Sequence, residues 1–586
     1  MSEIRQLYIK NFRSIKELVW YPKSGLNCLI GSGDSGKSTI LDAIDLTLGA
    51  RRSYSFTDAD FHKLDTTVPI EIFVTLGALD DQLKNIESYG LFLRSFDSNT
   101  NLISDEPQHE QEVVLTIKLT VGEDLDSDWQ LYSERAELSG MERRLSWKHR
   151  ELVTPARLGA TAHQHLGWGS RSVLNKLSED SLDVSATLAS IGRRTRQAFA
   201  EQPLEEVNGV LKQVKLIANN LGVPVGDLQA LLDVNGVSLS NGAISLHNSD
   251  STPLRQLGTG SLRLLISGLQ KAASTSKILI VDEAEFGLEP FRITRLLNEL
   301  GSKDETPLKQ VFITTHSPYV LRELQAEQLH VVRQLAPPPV APPPVAPPVA
   351  PPPVVAQQYS SHKIYSLGGG VQQQATLRAC AEAFLSRSVI VAEGKTEIGL
   401  IRGIDLFFQD QSSRSIQANG VYCADGGGDS MFERAQIFAQ LGYRTAIFKD
   451  SDKSVLQSEQ TNLVQQANVQ VFQWGNENST EDALFLSCPA DQIRNLLNIA
   501  VDRKSEDAIN AHIQAHSQNL YGLNDCMNSF VDTMRPMLAA AANNKKWYKD
   551  IEPAENLARN VVGPNYSRFS TIFTTAIGEL FAWANG

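Results

Sequence analysis

The sequence predicts an α/β protein of two unlike halves: a nucleotide-binding half with a helical insertion, then a half built on a parallel sheet. Three observations carry this. A glycine loop, Gly31-Ser-Gly-Asp-Ser-Gly36-Lys37-Ser38, follows an apolar run. Two more apolar runs end on carboxylates, Ile278-Leu-Ile-Val-Asp282-Glu283 and Ile447-Phe-Lys-Asp450-Ser-Asp452. Upstream of the second stands Val389-Ile-Val-Ala-Glu393-Gly394-Lys-Thr-Glu397. Short apolar runs that end on acids read as buried strands delivering ligands to a sheet edge.

A chain of 586 residues is too long for one core, so two to four domains are expected. Apolar content of 42% and charged content of 21% are ordinary for globular proteins. The five cysteines are widely spaced with no C-x-x-C pair, which argues against a zinc module or disulfide framework and for a reducing compartment. The start, Met1-Ser-Glu-Ile-Arg, lacks a signal pattern and no apolar stretch reaches membrane-spanning length. The expected location is the cytoplasm, with no membrane partner. The net charge of −13 runs against the basic footprint of a nucleic-acid binder. Metal-holding carboxylates contribute to that total locally, and a basic groove can coexist with it.

The elements follow in order. Ile4 to Ile15 alternates like a strand, and Leu26 to Ile30 leads into the glycine loop. Val68 to Leu76 and Glu112 to Thr120 also alternate, predicting an antiparallel layer beside the nucleotide fold. From about 155 to 232 the spacing turns helical, with Phe199, Val207, Val210, Leu211 and Val214 at three- and four-residue intervals. Residues 1–335 form the expected first domain. The Ala-Pro-Pro-Pro-Val units of 336–357 read as a stiff polyproline linker, and 376–586 as the second domain with a C-terminal helical region.

The glycine loop sits between a strand and the amphipathic segment from Thr39, as a phosphate-binding loop requires. Gly31 and Gly36 let backbone N–H groups close round phosphates at a helix N-terminus, with Thr39 in its first turn. Lys37 would reach the β/γ-phosphates and Ser38 would ligate Mg²⁺. Asp282 would hold that ion through water, and Glu283 would polarise the attacking water. Leu257-Gly258-Thr-Gly260-Ser261 stands where ABC-type ATPases carry their signature loop. Gly287-Leu-Glu-Pro290 takes the position of their D-loop, and His316 that of the switch histidine. Such sites close across a dimer, so ATP as cofactor and a homodimer or higher homo-oligomer are expected. No convincing glutamine loop is visible between Leu48 and Leu76.

In the second half Glu393 and Glu397 lie one helical turn apart, and Asp450 and Asp452 share a strand-end face. Carboxylate-only ligation suits Mg²⁺ or Mn²⁺. Glu481 and Asp482 are further ligand candidates. Asp425, in Ala424-Asp-Gly-Gly-Gly-Asp429, is either a turn residue or part of the pocket.

Together with the Asn11-Phe-Arg-Ser-Ile opening, these residues resemble the OLD (overcoming lysogenization defect) family, an SMC/ABC-like ATPase fused to a Toprim nuclease domain. That family includes the nuclease of the Gabija antiphage system. The resemblance implies an ATP-controlled, metal-dependent DNA-nicking or -cleaving enzyme of prokaryotic defence or DNA repair. DNA is then the expected substrate, and a neighbour-encoded protein such as a UvrD-like helicase an expected partner. The insertion becomes a dimerisation element. The family also uses a late lysine, for which Lys545, Lys546 and Lys549 are available and Lys546 is favoured. The competing class is an SMC-like DNA-binding or partner-recruiting ATPase whose Toprim half is structural. Topoisomerase and primase readings are disfavoured, since they call for more chain or for zinc-binding cysteines.

Overall fold

The computed structural model describes residues 2–51, 53–158, 258–273, 277–335, 361–411, 413 and 415–586, with a few isolated positions between 190 and 256. Three sheets organise them. The first is antiparallel: β1 (Glu3–Phe12), β2 (Ile15–Trp20), β4 (Ile70–Gly77), β5 (Leu93–Asp97), β6 (Leu102–Ser104), β7 (Glu112–Val121) and β8 (Ser127–Tyr132). They run in the order β2-β1-β4-β7-β5-β6, with β8 on β7. The second sheet holds β3 (Leu26–Ile30), β9 (Ala156–Leu158), β10 (Ile278–Val281), β11 (Gln310–Thr314), β12 (Leu329–Gln334) and β13 (His362–Ser366). Its order is β13-β12-β3-β11-β10-β9. The third, β15-β14-β16-β17, is formed by β14 (Ser388–Ala392), β15 (Val421–Asp425), β16 (Arg444–Lys449) and β17 (Gln470–Gln473), all parallel.

The strands that carry acids are fully or nearly fully buried apolar runs, as a parallel sheet covered on both faces demands. In the second sheet β11 lies between the glycine-loop strand β3 and the acidic strand β10. Whatever follows β11 therefore sits between the two halves of the nucleotide site. That residue series is Thr315-His316-Ser317.

Two expectations about organisation need correction. The interval read as helical from 155 opens with strand β9, which pairs in parallel with β10. Its five marker residues, from Phe199 to Val214, lie outside the described residues. Residues 336–357 do not divide two separate bodies. After that stretch the chain returns as β13, antiparallel to β12 in the nucleotide-binding sheet. One buried apolar cluster then runs from Leu26, Ile30, Ile313 and Val331 to Phe384, Val389 and Ile447. The Ala-Pro run itself lies outside the described residues.

The Pro318–Glu323 helix, immediately after His316, packs on Val371–Ala379 and Ala381–Leu385, the segments that lead into β14. Arg322 Nη2 pairs with Glu382 there. Arg333 on β12 donates to the carbonyl of Arg387 (2.7 Å) and stacks over Tyr443 at 4.2 Å.

The Lys395–Asp410 helix meets Ile551–Leu557 at very close range because two of its residues lack side chains. A Cβ on Gly403 would stand 2.3 Å from Glu555 O and 2.5 Å from Ala558 Cβ, both on rigid backbone. Gly403→Ala should therefore lower stability by about 1–3 kcal/mol through overpacking. That outweighs the helix-propensity gain of about 1 kcal/mol. Thermal unfolding checks it; a variant as stable as the parent would show that the two helices can separate at no cost.

Candidate functional site

Two carboxylate-bearing sites stand at sheet edges. At the first, Gly31 (φ 141°) and Gly36 (φ 89°) adopt conformations that side chains avoid, and a Cβ on Gly31 would meet Val332 O at 2.6 Å. The loop closes onto the Lys37–Leu48 helix. Lys37 Nζ donates to the carbonyls of Gly31 (3.1 Å) and Ser32 (2.9 Å), so the loop holds its own cation where phosphate oxygens would compete for it. Burial lowers the Lys37 pKa, offset in part by Asp34 and Asp282.

Ser38 Oγ lies 3.4 Å from Asp282 Oδ1, which joins the loop to the acidic strand. Thr314 at the end of β11 donates its hydroxyl to Asp282 and accepts from the Glu283 N–H (2.8 Å). Arg157 of β9 approaches Asp282 Oδ2 at 3.7 Å and pairs with Asp42 at 2.6 Å. Glu283 is exposed and has a left-handed backbone (φ 49°), a strained conformation for a residue with a Cβ. The backbone N–H of His316 donates to Glu285 Oε1 (2.7 Å), leaving an exposed histidine between loop and acids. The donor set of Ser38 and Asp282 fits a magnesium ion carried by a nucleotide.

The remaining expected residues are placed differently. The Thr39 hydroxyl meets Ser14 at 3.2 Å. Gly258 precedes the Thr259–Ala273 helix, and Gly260 and Ser261 fall in its first turn. Their contacts run to the D-loop segment: a Cβ on Gly260 would meet Gly287 O at 2.8 Å, and Arg292 donates to Ser261 Oγ at 2.9 Å. Buried Arg263 on the same helix donates to the carbonyls of Asp282 and Phe286 (2.6 and 3.1 Å).

At the second site strand register explains the meeting of distant acids. Ala392 pairs with Phe448, and the Glu393 N–H donates to Phe448 O (2.9 Å). The Asp450 N–H in turn donates to Glu393 Oε2 (3.0 Å). Glu397, one turn into the following helix, is buried. Thr480 Oγ1 lies 2.8 Å from both Glu397 Oε1 and Asp450 Oδ1, and accepts from Trp474 Nε1 at 2.9 Å. A hydroxyl donates only once, so one of those carboxyl contacts requires a proton on the carboxyl itself.

The electrostatics agree with that count. Burial, then Glu397 and Glu393, push Asp450 up to about 9. Burial raises Glu397, and burial pushes Glu481 up to about 7 with Glu397 adding to it. Among the described residues no three His, Cys, Asp or Glu side chains already stand in closed ligand geometry. Buried acids whose proton affinity is raised this way nevertheless fit a hard divalent cation, which would replace the protons. Glu393, Glu397 and Asp450 would hold it, with Glu481 at its margin.

Asp452 is exposed, and with Glu393 and Asp450 its charge acts on Lys449. Asp482 caps its own helix by accepting from Ser479, so it is not a ligand candidate here. Asp425 accepts from the Gly427 N–H (2.8 Å), which makes it a turn residue. Of the late lysines, Lys549 is the one whose charge acts on Glu481. Lys546, favoured from sequence, is an exposed left-handed cap (φ 53°). Lys449 was not anticipated. It is 0% exposed, and its Nζ donates to Asp450 O and Gln457 Oε1, both 2.9 Å. Gln457 donates to Asp429 Oδ1 (2.8 Å), tying the Asp450 loop to the glycine turn.

Comparison with known proteins finds a match for each half of the chain. Residues 26–322, just over half of the chain, match the family described as "AAA domain, putative AbiEii toxin, Type IV TA system". Residues 384–452 match the overcoming lysogenization defect protein-like Toprim domain. The chain belongs to that AAA-domain family, and its second half carries an OLD-like Toprim domain. A relative named OLD nuclease, from Thermus scotoductus, is 27% identical over 356 residues, 56% of this chain and 62% of that protein. The chain thus matches about three-fifths of the length of that relative. A DNA replication and repair protein RecF from Nitrosococcus oceani is 44% identical over 54 residues, 9% of this chain and 15% of that protein. Among solved structures, the Smc head domain from Pyrococcus furiosus bound to the C-terminal domain of ScpA is 17% identical, with a TM-score of 0.31. That match covers 57% of this chain and 93% of the other. ATPase and Toprim domains as classes use ATP and divalent metal. Among the described residues no helix is long and apolar enough to cross a membrane.

Proposed function

We propose that this chain is an OLD-family, ATP-binding and -hydrolysing DNA endonuclease, dependent on Mg²⁺ or Mn²⁺, that nicks or cleaves DNA in prokaryotic antiphage defence or repair. The observation that supports it is the meeting of Glu397 and Asp450 on Thr480, with Glu393 bound to the Asp450 backbone, in one core with a built phosphate loop. Lys37 leaves its carbonyl partners for the phosphates, and Ser38 and Asp282 present oxygens to the nucleotide's ion. Glu283 orients water. At the Toprim edge, divalent ions when bound would supply an activated water and charge stabilisation at the leaving oxygen. Asp450 and Glu397 give up their shared proton and set the position of the scissile phosphate. Lys549, beside Glu481, is the late lysine best placed to face it. Gly258 to Ser261 complete the nucleotide site of a second copy, so the working unit is a homodimer or larger. A neighbour-encoded partner such as a UvrD-like helicase belongs to the same reading.

A second reading, a DNA-binding or partner-recruiting ATPase with a structural Toprim half, is favoured by exposed Asp452 and the open ligand geometry. Supercoiled plasmid incubated with the protein in Mg²⁺, Mn²⁺ or EDTA, with and without ATP, separates the two. Nicking in either metal and none in EDTA is expected; intact plasmid throughout would leave the second reading standing.

Glu283→Gln should keep ATP binding but lower turnover by roughly 10²–10³, the loss seen when one preorganised polar group is removed. Light scattering should then find an ATP-dependent dimer that persists. Parental turnover would remove Glu283 from the role of water-orienting base.

A further inference from the structure

The carboxylate site opens onto a helical surface whose charge runs against the acidic total of the chain. Lys395, two residues after Glu393, stands 3.8 Å from Asp550, which also meets Arg503 at 3.9 Å. Lys549, next in line, is exposed and acts on Glu481. Behind it Trp547 and Tyr548 are fully buried. The Tyr548 hydroxyl donates to Leu496 O (2.8 Å), and Trp547 Nε1 donates to His512 Nδ1 (3.3 Å). These two anchors fix the turn so that Lys545, Lys546 and Lys549 all remain outside. Lys504 ends the Ile493–Lys504 helix, and Asn544 meets His516 at 3.3 Å. The proton affinity of His512 is lowered by burial and then by Lys545, Lys504 and His516, so these cations share one neighbourhood. The acids at its ends are Asp550 and Glu481 on the site side, and Glu506 and Asp507 in the first turn of the Glu506–His516 helix. Cations at helix C-termini favour the dipole, which accounts for Lys504 and Lys545. It does not account for Lys546 and Lys549, which lie beyond the helix end.

We propose that the ridge of Lys504, Lys545 and Lys546, continuing to Lys549, binds the phosphate backbone of duplex DNA and leads it to the carboxylate site. The assignment of DNA rests on the nuclease reading, whereas the placement of the surface rests on the ridge itself. Each phosphate a lysine neutralises releases counterions, so binding through such a ridge is steeply salt-dependent.

The test is fluorescence anisotropy of a labelled duplex with the full chain in EDTA, over a series of salt concentrations. Lys504→Gln combined with Lys545→Gln should flatten the log–log salt slope by about 1.8, two phosphates at about 0.9 each. At 0.1 M salt this corresponds to an affinity loss on the order of tens-fold. Lys504→Arg with Lys545→Arg should restore both, which separates lost charge from a folding defect. An unchanged slope and affinity in the glutamine variant would overturn the ridge even if the parent nicks plasmid. A parent that fails to nick, yet loses slope in the glutamine variant, would keep the ridge and remove the nuclease. Binding of poly-glutamate in place of the duplex would assign the surface to an acidic protein and overturn the proposal.

Discussion

Asp450→Asn is expected to lower plasmid nicking by roughly 10²–10³ while making the metal-free protein more stable. The activity loss follows from removing one of the few anionic oxygens that place a hard cation, with the rate cost typical of losing a preorganised electrostatic group. The stability gain follows from the proton. Folding raises the Asp450 carboxyl to about 9, far above its unfolded value, so the native state holds a proton that the unfolded state has released. Native stability without metal should therefore be greatest below about pH 4 for this group, and fall as pH rises towards 9. An amide cannot ionise and escapes that loss. Thermal melts in EDTA at pH 6 and pH 8, beside nicking assays in Mg²⁺ and Mn²⁺, check both halves. Parental nicking would place the metal elsewhere; a variant that melts below the parent at pH 8 would mean that Asp450 is charged in the metal-free fold.

Lys37→Ala should abolish ATP hydrolysis with little effect on folding. The Lys37 ammonium touches only the carbonyls of its own loop and Ser35, so nothing outside the loop loses a partner. Phosphate release measured beside a thermal melt is the check. Hydrolysis at the parental rate would remove the loop from nucleotide chemistry. A large fall in melting temperature would mean that the buried ammonium is a structural strut.

What was legible in the sequence was local. The glycine loop, the two acid-ended strands and the Glu393–Glu397 turn each announce themselves within ten residues, because backbone geometry and ligand chemistry are specified together. What was not legible arrives from elsewhere in the fold. Thr480 is one threonine at a helix start until the pairing of β14 with β16 brings Glu397 and Asp450 together against it. Arg157 looked like the start of a helical insertion, yet β9 sets it beside Asp282. Lys449 drew no reading from its place in the acid-ended run, and only full burial shows that a lysine is held inside the acid cluster. The Ala-Pro run misled in the opposite direction. Its composition is that of a spacer, and composition carries no information about β13 returning to pair with β12.

That return has a consequence for how the two activities can be joined. Because β12 and β13 lie side by side and one apolar cluster continues from Ile313 to Ile447, a strand ladder and a common interior hold the two halves in register. Communication between nucleotide and carboxylates would travel through packed side chains, from the segment after β11 to the strand that leads into Glu393.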